Sequence, residues 1–189
     1  KIMVYKFRLV SDEVENFKLE ILIDGDDNFL RLRNAILDAV GYTKEQPDSF
    51  FICDDKWMKE KEIMFVEMDV DNSMDYWIME ETPISELVED EGQKLIYVFD
   101  YMTERSFFME LKEIQYSTSL KDPVCERKVG SAPAQHVDVD NFIEKTIASA
   151  SAVASASSDE FGEEFYGSDS YDDEELEQYA SGYDDEFNN

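Results

Sequence analysis

The sequence predicts an α+β fold, and three observations carry that expectation. Residues 94–116, KLIYVFDYMTERSFFMELKEIQY, alternate at period two through Leu95, Tyr97, Phe99 and Tyr101, then again through Phe107, Met109 and Leu111, with Ile114 a further candidate one residue out of step. Aromatic and β-branched residues in that rhythm, on either side of a short polar stretch, form a hairpin near the middle of a sheet. Residues 2–10 and 17–23 repeat the pattern and read as an antiparallel pair. Between these pairs, Phe29, Leu32, Ile36, Leu37 and Val40 recur at helical spacing, with Asn28 as N-cap and Gly41 as stop. The expected architecture is a mostly antiparallel five- to seven-stranded sheet with a helix packed on one face and short edge helices. A disordered acidic C-terminal tail follows it.

Taken in order, Met3, Tyr5, Phe7 and Leu9 give the first strand one apolar face, while Lys6 and Arg8 mark the other as partly wet. Phe17, Leu19, Ile21 and Ile23 answer it. The loop 24–27, DGDD, leads into helix 29–40, whose apolar stripe is expected on the sheet. After the breaker Gln46-Pro47-Asp48, residues 49–53 (SFFIC) form a short apolar strand and residues 62–70 a less regular one, with 71–75 as a polar connection. Thr82 as N-cap and Pro83 at the first helical position open a short helix through Ile84, Leu87 and Val88. The central hairpin turns at Met102-Thr103-Glu104-Arg105. Beyond Tyr116, residues 122–133 read as an irregular segment wrapping the body, and a last helix is expected through Phe142, Ile143, Thr146 and Ile147. The domains expected are a globular body over residues 1–147, an Ala/Ser linker over 148–158 and an acidic, aromatic-containing tail over 159–189.

The net charge of −29 is unevenly spread. Residues 159–189 hold 13 acids and no base, leaving 33 acids against 17 bases in the 158 residues before them. Phosphate backbones and anionic membrane surfaces need clustered cations, so direct nucleic-acid and membrane partners are disfavoured. A basic partner, metal cations, or mere solubility each accounts for the charge. Cys53 and Cys125 make no disulfide framework, and the default for each is a reduced thiol. No charged-then-apolar leader opens the sequence and no apolar run reaches the roughly 20 residues needed to cross a bilayer. The compartment expected is the cytoplasm.

In this order the elements resemble the Ri-plasmid ORF-3-like family, small bacterial and archaeal proteins of which some are passengers of insertion elements. Val4-Tyr5-Lys6-Phe7-Arg8-Leu9 looks like the family's opening strand. Residues 29–36 with Gly41-Tyr42 look like its first helix, and residues 95–101 with Glu110-Leu111 like its tyrosine, aromatic, Asp, aromatic hairpin. Asp122-Pro123-Val124-Cys125 through Gly130-Ser131-Ala132-Pro133 resembles its proline, cysteine and glycine-alanine-proline ending. The likeness spans residues 2–135 and leaves the tail aside. Two departures stand out. Met102-Thr103, Arg105 and Phe107 replace a Gly-Asp, Trp and His, and Asp48-Ser49 replaces a His-Leu pair. Any role those histidines have in relatives is absent from this chain, so the resemblance implies a fold rather than an activity.

Candidate chemistry is thin. His136 is the sole histidine, which rules out a site built on two, and Cys125 with His136 suits nucleophilic catalysis by residue type alone. Asp69, Asp71, Ser73, Asp75 and Glu80 fall at the spacing of a calcium loop, but Met74 stands where its sharp turn needs glycine, so a solvated loop is the reading. Asp69, Asp71, Asp75 and Glu80 are therefore only weak metal candidates. Asp100 is the candidate functional carboxylate: a charge inside an apolar strand needs hydrogen bonds, from Arg105, from Arg31 or Arg33, or from turn amides. Trp57, Trp77 and Arg105 are candidate contact residues. No cofactor is expected.

The functional expectation is a non-enzymatic cytoplasmic accessory or interaction protein with a protein partner, a basic one being an open option and a link to mobile elements another. Two alternatives stand beside it. One is a divalent-metal hydrolase or nuclease using Asp100 with nearby acids; the other is an acidic tail that binds a basic partner or mimics nucleic acid.

Overall fold

The computed structural model describes residues 2–68, 74–137 and 147. The chain groups into two units, Lys1–Val137 and Asp138–Asn189, and the first holds every element below. The expected helix through residue 142, the linker and the tail lie outside the described residues, Ile147 excepted.

Among the described residues, eight strands and two helices run β1 (Met3–Ser11), β2 (Lys18–Asp24), α1 (Phe29–Val40), β3 (Ser49–Cys53), β4 (Lys59–Met64), β5 (Tyr76–Ile78), α2 (Ile84–Leu87), β6 (Lys94–Asp100), β7 (Arg105–Tyr116) and β8 (Val124–Val129). They form one sheet in the order β5-β4-β3-β6-β7-β1-β2-β8. Every pairing is antiparallel except β4 with β5, which is parallel. The fold is α+β, but the sheet is mixed and has eight strands, not five to seven.

The corrections share a cause. β4 begins at Lys59 and ends at Met64, not at 62 and 70, because its first three side chains are largely solvated and show no apolar period. Asp54 sets its start. Its Oδ1 accepts the amides of Lys56 and Met58 (2.8 and 2.9 Å), closing a tight turn that aims the chain back along β3. β5 has only three residues, and β8, expected to be irregular, exposes all six of its side chains. Neither strand buries enough to alternate visibly. The central turn runs over residues 101–104, with Arg105 already in β7. Pro83, not Thr82, is the N-cap of α2, and the Thr82 hydroxyl donates instead to the Ile78 carbonyl at 2.8 Å.

One face of the sheet carries the main core. Phe7, Leu9, Leu19, Ile21, Leu95, Tyr97, Phe107 and Met109 are fully buried there, together with Phe29, Leu32, Ile36 and Leu37 of α1. The predicted stripe of α1 is the one that packs. Asn28 Oδ1 accepts the Arg31 amide at 2.9 Å, and Gly41 closes the helix at φ 75°, a left-handed value that disfavours other residues. Rings lock this layer: Phe50 and Tyr97 stack at 4.6 Å, and Phe99 and Phe107 lie 4.8 Å apart. The opposite face holds a smaller cluster of Phe51, Cys53, Ile96 and Val98, with Trp57, Met74 and Phe108 against it.

One residue on the buried stripe of α1 is charged. Arg33 is 1% exposed, and its Nε lies 2.7 Å from both oxygens of Asp48, itself 3% exposed. Nη2 donates to the carbonyls of Lys44 and Gln46 (2.7 and 3.2 Å), and the guanidinium rests 3.8 Å over the Phe65 ring. Tyr97 donates to Asp48 Oδ2 at 2.6 Å. Burial pushes the Asp48 carboxyl upward, while Arg33 and Tyr97 pull it back.

Removing one member strands a buried charge, so Asp48→Ala and Arg33→Met should each cost about 3–5 kcal/mol in urea unfolding at neutral pH. The double variant Arg33→Met/Asp48→Leu should recover much of that loss; additive losses would show that the pair is not coupled. Burial also pushes the phenols of Tyr5 and Tyr42 up to about 12. Unfolded tyrosine ionises near 10, so the folded state keeps protons that the unfolded state releases. The stability this gives is complete below pH 10 and is lost as pH rises toward 12. Melting temperatures measured from pH 8 to 12 should hold and then fall across that window.

Candidate functional site

Strand alternation that sends Asp48 and Phe50 toward α1 sends Ser49 and Phe51 to the opposite face. Ser49 is fully buried there, and its hydroxyl donates to Glu62 Oε1 at 2.9 Å across the β3–β4 ladder. Tyr101, the first residue of the β6–β7 turn, donates to the same oxygen at 2.8 Å and also meets the Ser49 hydroxyl. Burial pushes the Tyr101 phenol well above its ordinary value. Glu62 is 7% exposed, yet its Oε2 takes no hydrogen bond among the described residues, and it is not among the fully enclosed side-chain oxygens left unpaired. That oxygen keeps an opening to solvent.

The opening is a cavity of about 190 Å³. Phe51 and Val98 line it as apolar floor, and Glu62, Tyr101 and Met68 line its sides. Lys59 and the exposed Glu104 stand at its rim. Lys59 holds its ammonium 4.3 Å above the Phe51 ring. A wider depression of about 410 Å³ lies between residues 53–55 and 90–94, but it is open and its lining is mostly polar.

The candidate residues fall in different places. Asp100 ends β6, half-buried, and its oxygens accept the Met102 amide at 3.0 Å and the Thr103 hydroxyl at 2.8 Å. The arginines considered as its partners bind other acids. Arg105, opposite it in the ladder, grips both oxygens of Glu13 (2.7 and 2.8 Å) and the carbonyls of Ala134 and Gln135 (2.6 and 3.0 Å). Arg31 binds Asp27 and Asp122, and Arg33 binds Asp48. Trp57 sits at φ 65° in the β3–β4 turn, edge-on to Phe108 at 5.1 Å, with the Lys94 ammonium 5.1 Å over its ring. Trp77 lies in the edge strand β5 below Lys61.

Asp69 and Asp71 lie outside the described residues, while Asp75 and Glu80 are exposed. Among the described residues no three of His, Cys, Asp and Glu gather as metal ligands would. Cys125 and His136 are both exposed, and burial pushes the Cys53 thiol up to about 11, which suits a packed thiol more than a nucleophile. No helix in the described residues is long and apolar enough to cross a membrane.

Sequence reasoning passed over Glu62, Ser49 and Tyr101 as a group. The one signal available was Ser49 beside Asp48, where the chain departs from the family's His-Leu.

A family model described as plasmid pRiA4b ORF-3-like protein matches residues 6–180, past residue 135, where the resemblance was expected to stop. No curated protein matches. A crystal structure of a protein of unknown function from Methanosarcina mazei Go1 is similar in fold, with a TM-score of 0.53 and 17% identity over 67% of this chain and 69% of that one.

If Asp100 serves the turn, Asp100→Ala should cost about 1 kcal/mol in chemical unfolding, and Asp100→Asn, which keeps an acceptor, clearly less. Equal losses from both would point to a role for the charge itself.

Proposed function

The chain belongs to the plasmid pRiA4b ORF-3-like family, and we propose that it works as a non-enzymatic cytoplasmic accessory protein that binds a basic segment of another protein. The observation that carries this reading is how the cations of the body are used. Residues 1–137 hold 30 acids against 16 bases. Lys6, Arg8, Arg31, Arg33, Lys44, Arg105 and Lys112 are engaged by carboxylates of the same chain. Lys59, Lys61 and Lys94 lie over aromatic rings, and Lys128 donates to the Ala39 carbonyl at the end of α1. Lys18, Lys56, Lys121 and Arg127 are the described cations outside these contacts, too few to offset the acids, so the surface carries an excess of carboxylates, which attracts cations and repels phosphate. The acids of residues 159–189, interleaved with Phe and Tyr, add to the same field.

The competing metal-hydrolase reading depends on Asp100, whose two oxygens already serve the turn, so the geometry favours it less.

A random peptide library selected on the purified full chain tests the proposal. The expected outcome is enrichment of peptides with Lys or Arg beside an apolar residue, whose affinity falls as salt rises. Enrichment of acidic peptides, or no consensus at all, would sink it.

A further inference from the structure

The cavity beside the β6–β7 turn has a size and a charge that together select a ligand. At about 190 Å³ it falls well below the roughly 300 Å³ where small-molecule sites begin, so it takes one side chain and not a cofactor. Among the described residues its charged groups are two carboxylates, Glu62 and Glu104, against one ammonium, that of Lys59. An anion would meet that net negative charge across an apolar floor. A cation would restore neutrality. The floor already carries one, because the Lys59 ammonium lies 4.3 Å over the Phe51 ring. Lys59 is exposed, with no salt bridge among the described residues, so its stem is free to swing aside. Glu62 Oε2 is then the acceptor left available. Ser49 and Tyr101 both bind Oε1 and hold the carboxylate in place, so little ordering remains to be done when a donor arrives.

We propose that this cavity is the subsite for one arginine or lysine side chain of the protein partner, and that Lys59 covers its floor until that side chain displaces it. The inference rests on the basic-partner reading and names where such a partner would be read. The head of the incoming side chain lies over Phe51 and donates to Glu62 Oε2, Glu104 closes the rim, and Met68 adapts to its stem.

Full-length protein labelled at its methionine methyl groups tests this by NMR titration with acetyl-arginine methylamide and with its neutral citrulline counterpart. The Met68 methyl should move with the arginine compound and stay in place with citrulline. Lys59→Met, a change at an exposed position, should bind the arginine compound several-fold more tightly. Glu62→Gln, which keeps the hydroxyl acceptor and removes the charge, should bind it about tenfold more weakly. A silent Met68 methyl at tens of millimolar, equal movement with citrulline, or no gain in Lys59→Met would each overturn the assignment. If selected basic peptides bind wild type and Glu62→Gln alike, the subsite fails while the basic-partner reading stands. A responsive Met68 methyl without any basic consensus among selected peptides would do the opposite, keeping the cation subsite and removing the basic partner.

Discussion

The structure depends on a charge placed where a helix meets a sheet. An arginine on the buried stripe of α1 is costly, since removing a guanidinium and a carboxylate from water takes several kcal/mol for each ion. The arrangement is tolerable because nearly every donor has a partner. Nε meets both oxygens of Asp48, Nη2 meets two carbonyls of the α1–β3 connection, and Nη1 reaches Asn34 at 3.3 Å. Tyr97 from β6 and the Phe65 ring after β4 complete the enclosure. Four stretches of chain converge on one ion pair, and no small shift of α1 along the sheet preserves all of these contacts. Apolar packing alone would allow such a shift; the buried pair specifies one register.

That register also fixes the opposite face. Asp48 is held toward α1, so Ser49 must project the other way, and Phe50 and Phe51 repeat the division. The pairing of Ser49 with Met64 and of Phe51 with Glu62 then carries the Glu62 carboxylate to the Ser49 hydroxyl. The β6–β7 turn supplies Tyr101 from the far side. A second pair, Glu13 with Arg105, ties the β1–β2 connection to the start of β7 and to the carbonyls of Ala134 and Gln135. The cavity at the hairpin end is thus a product of two ion pairs on the other side of the sheet, Arg33–Asp48 buried and Arg105–Glu13 open to solvent at its carboxylate. Its members come from β3, β4, the stretch after β4, β6 and the β6–β7 turn, and none is adjacent to all the others in sequence.

Charge and size narrow what such a protein can do. Acids outnumber bases 30 to 16 over residues 1–137, and the proposed basic partner and single-side-chain subsite are built on that excess and on the small volume of the cavity. Asp100, the most conspicuous carboxylate in the sequence, serves the turn that presents Tyr101 and Glu104. Its two oxygens accept the Met102 amide and the Thr103 hydroxyl of that turn.

The sequence by itself determined the elements that bury a face. Helix α1 with Asn28 and Gly41, the β1–β2 pair, β3 and the β6–β7 hairpin all stand within a residue or so of where period and caps put them, because apolar periodicity is the imprint of burial. Tertiary structure decided the rest. β5 and β8 are strands only because a neighbour offers a ladder, and their side chains bury too little to leave a pattern. The Arg33–Asp48 pair and the Ser49–Glu62–Tyr101 cluster join residues 13 to 52 positions apart. Their meaning lies in which strands become neighbours, and pairing across the sheet leaves no local trace in the chain.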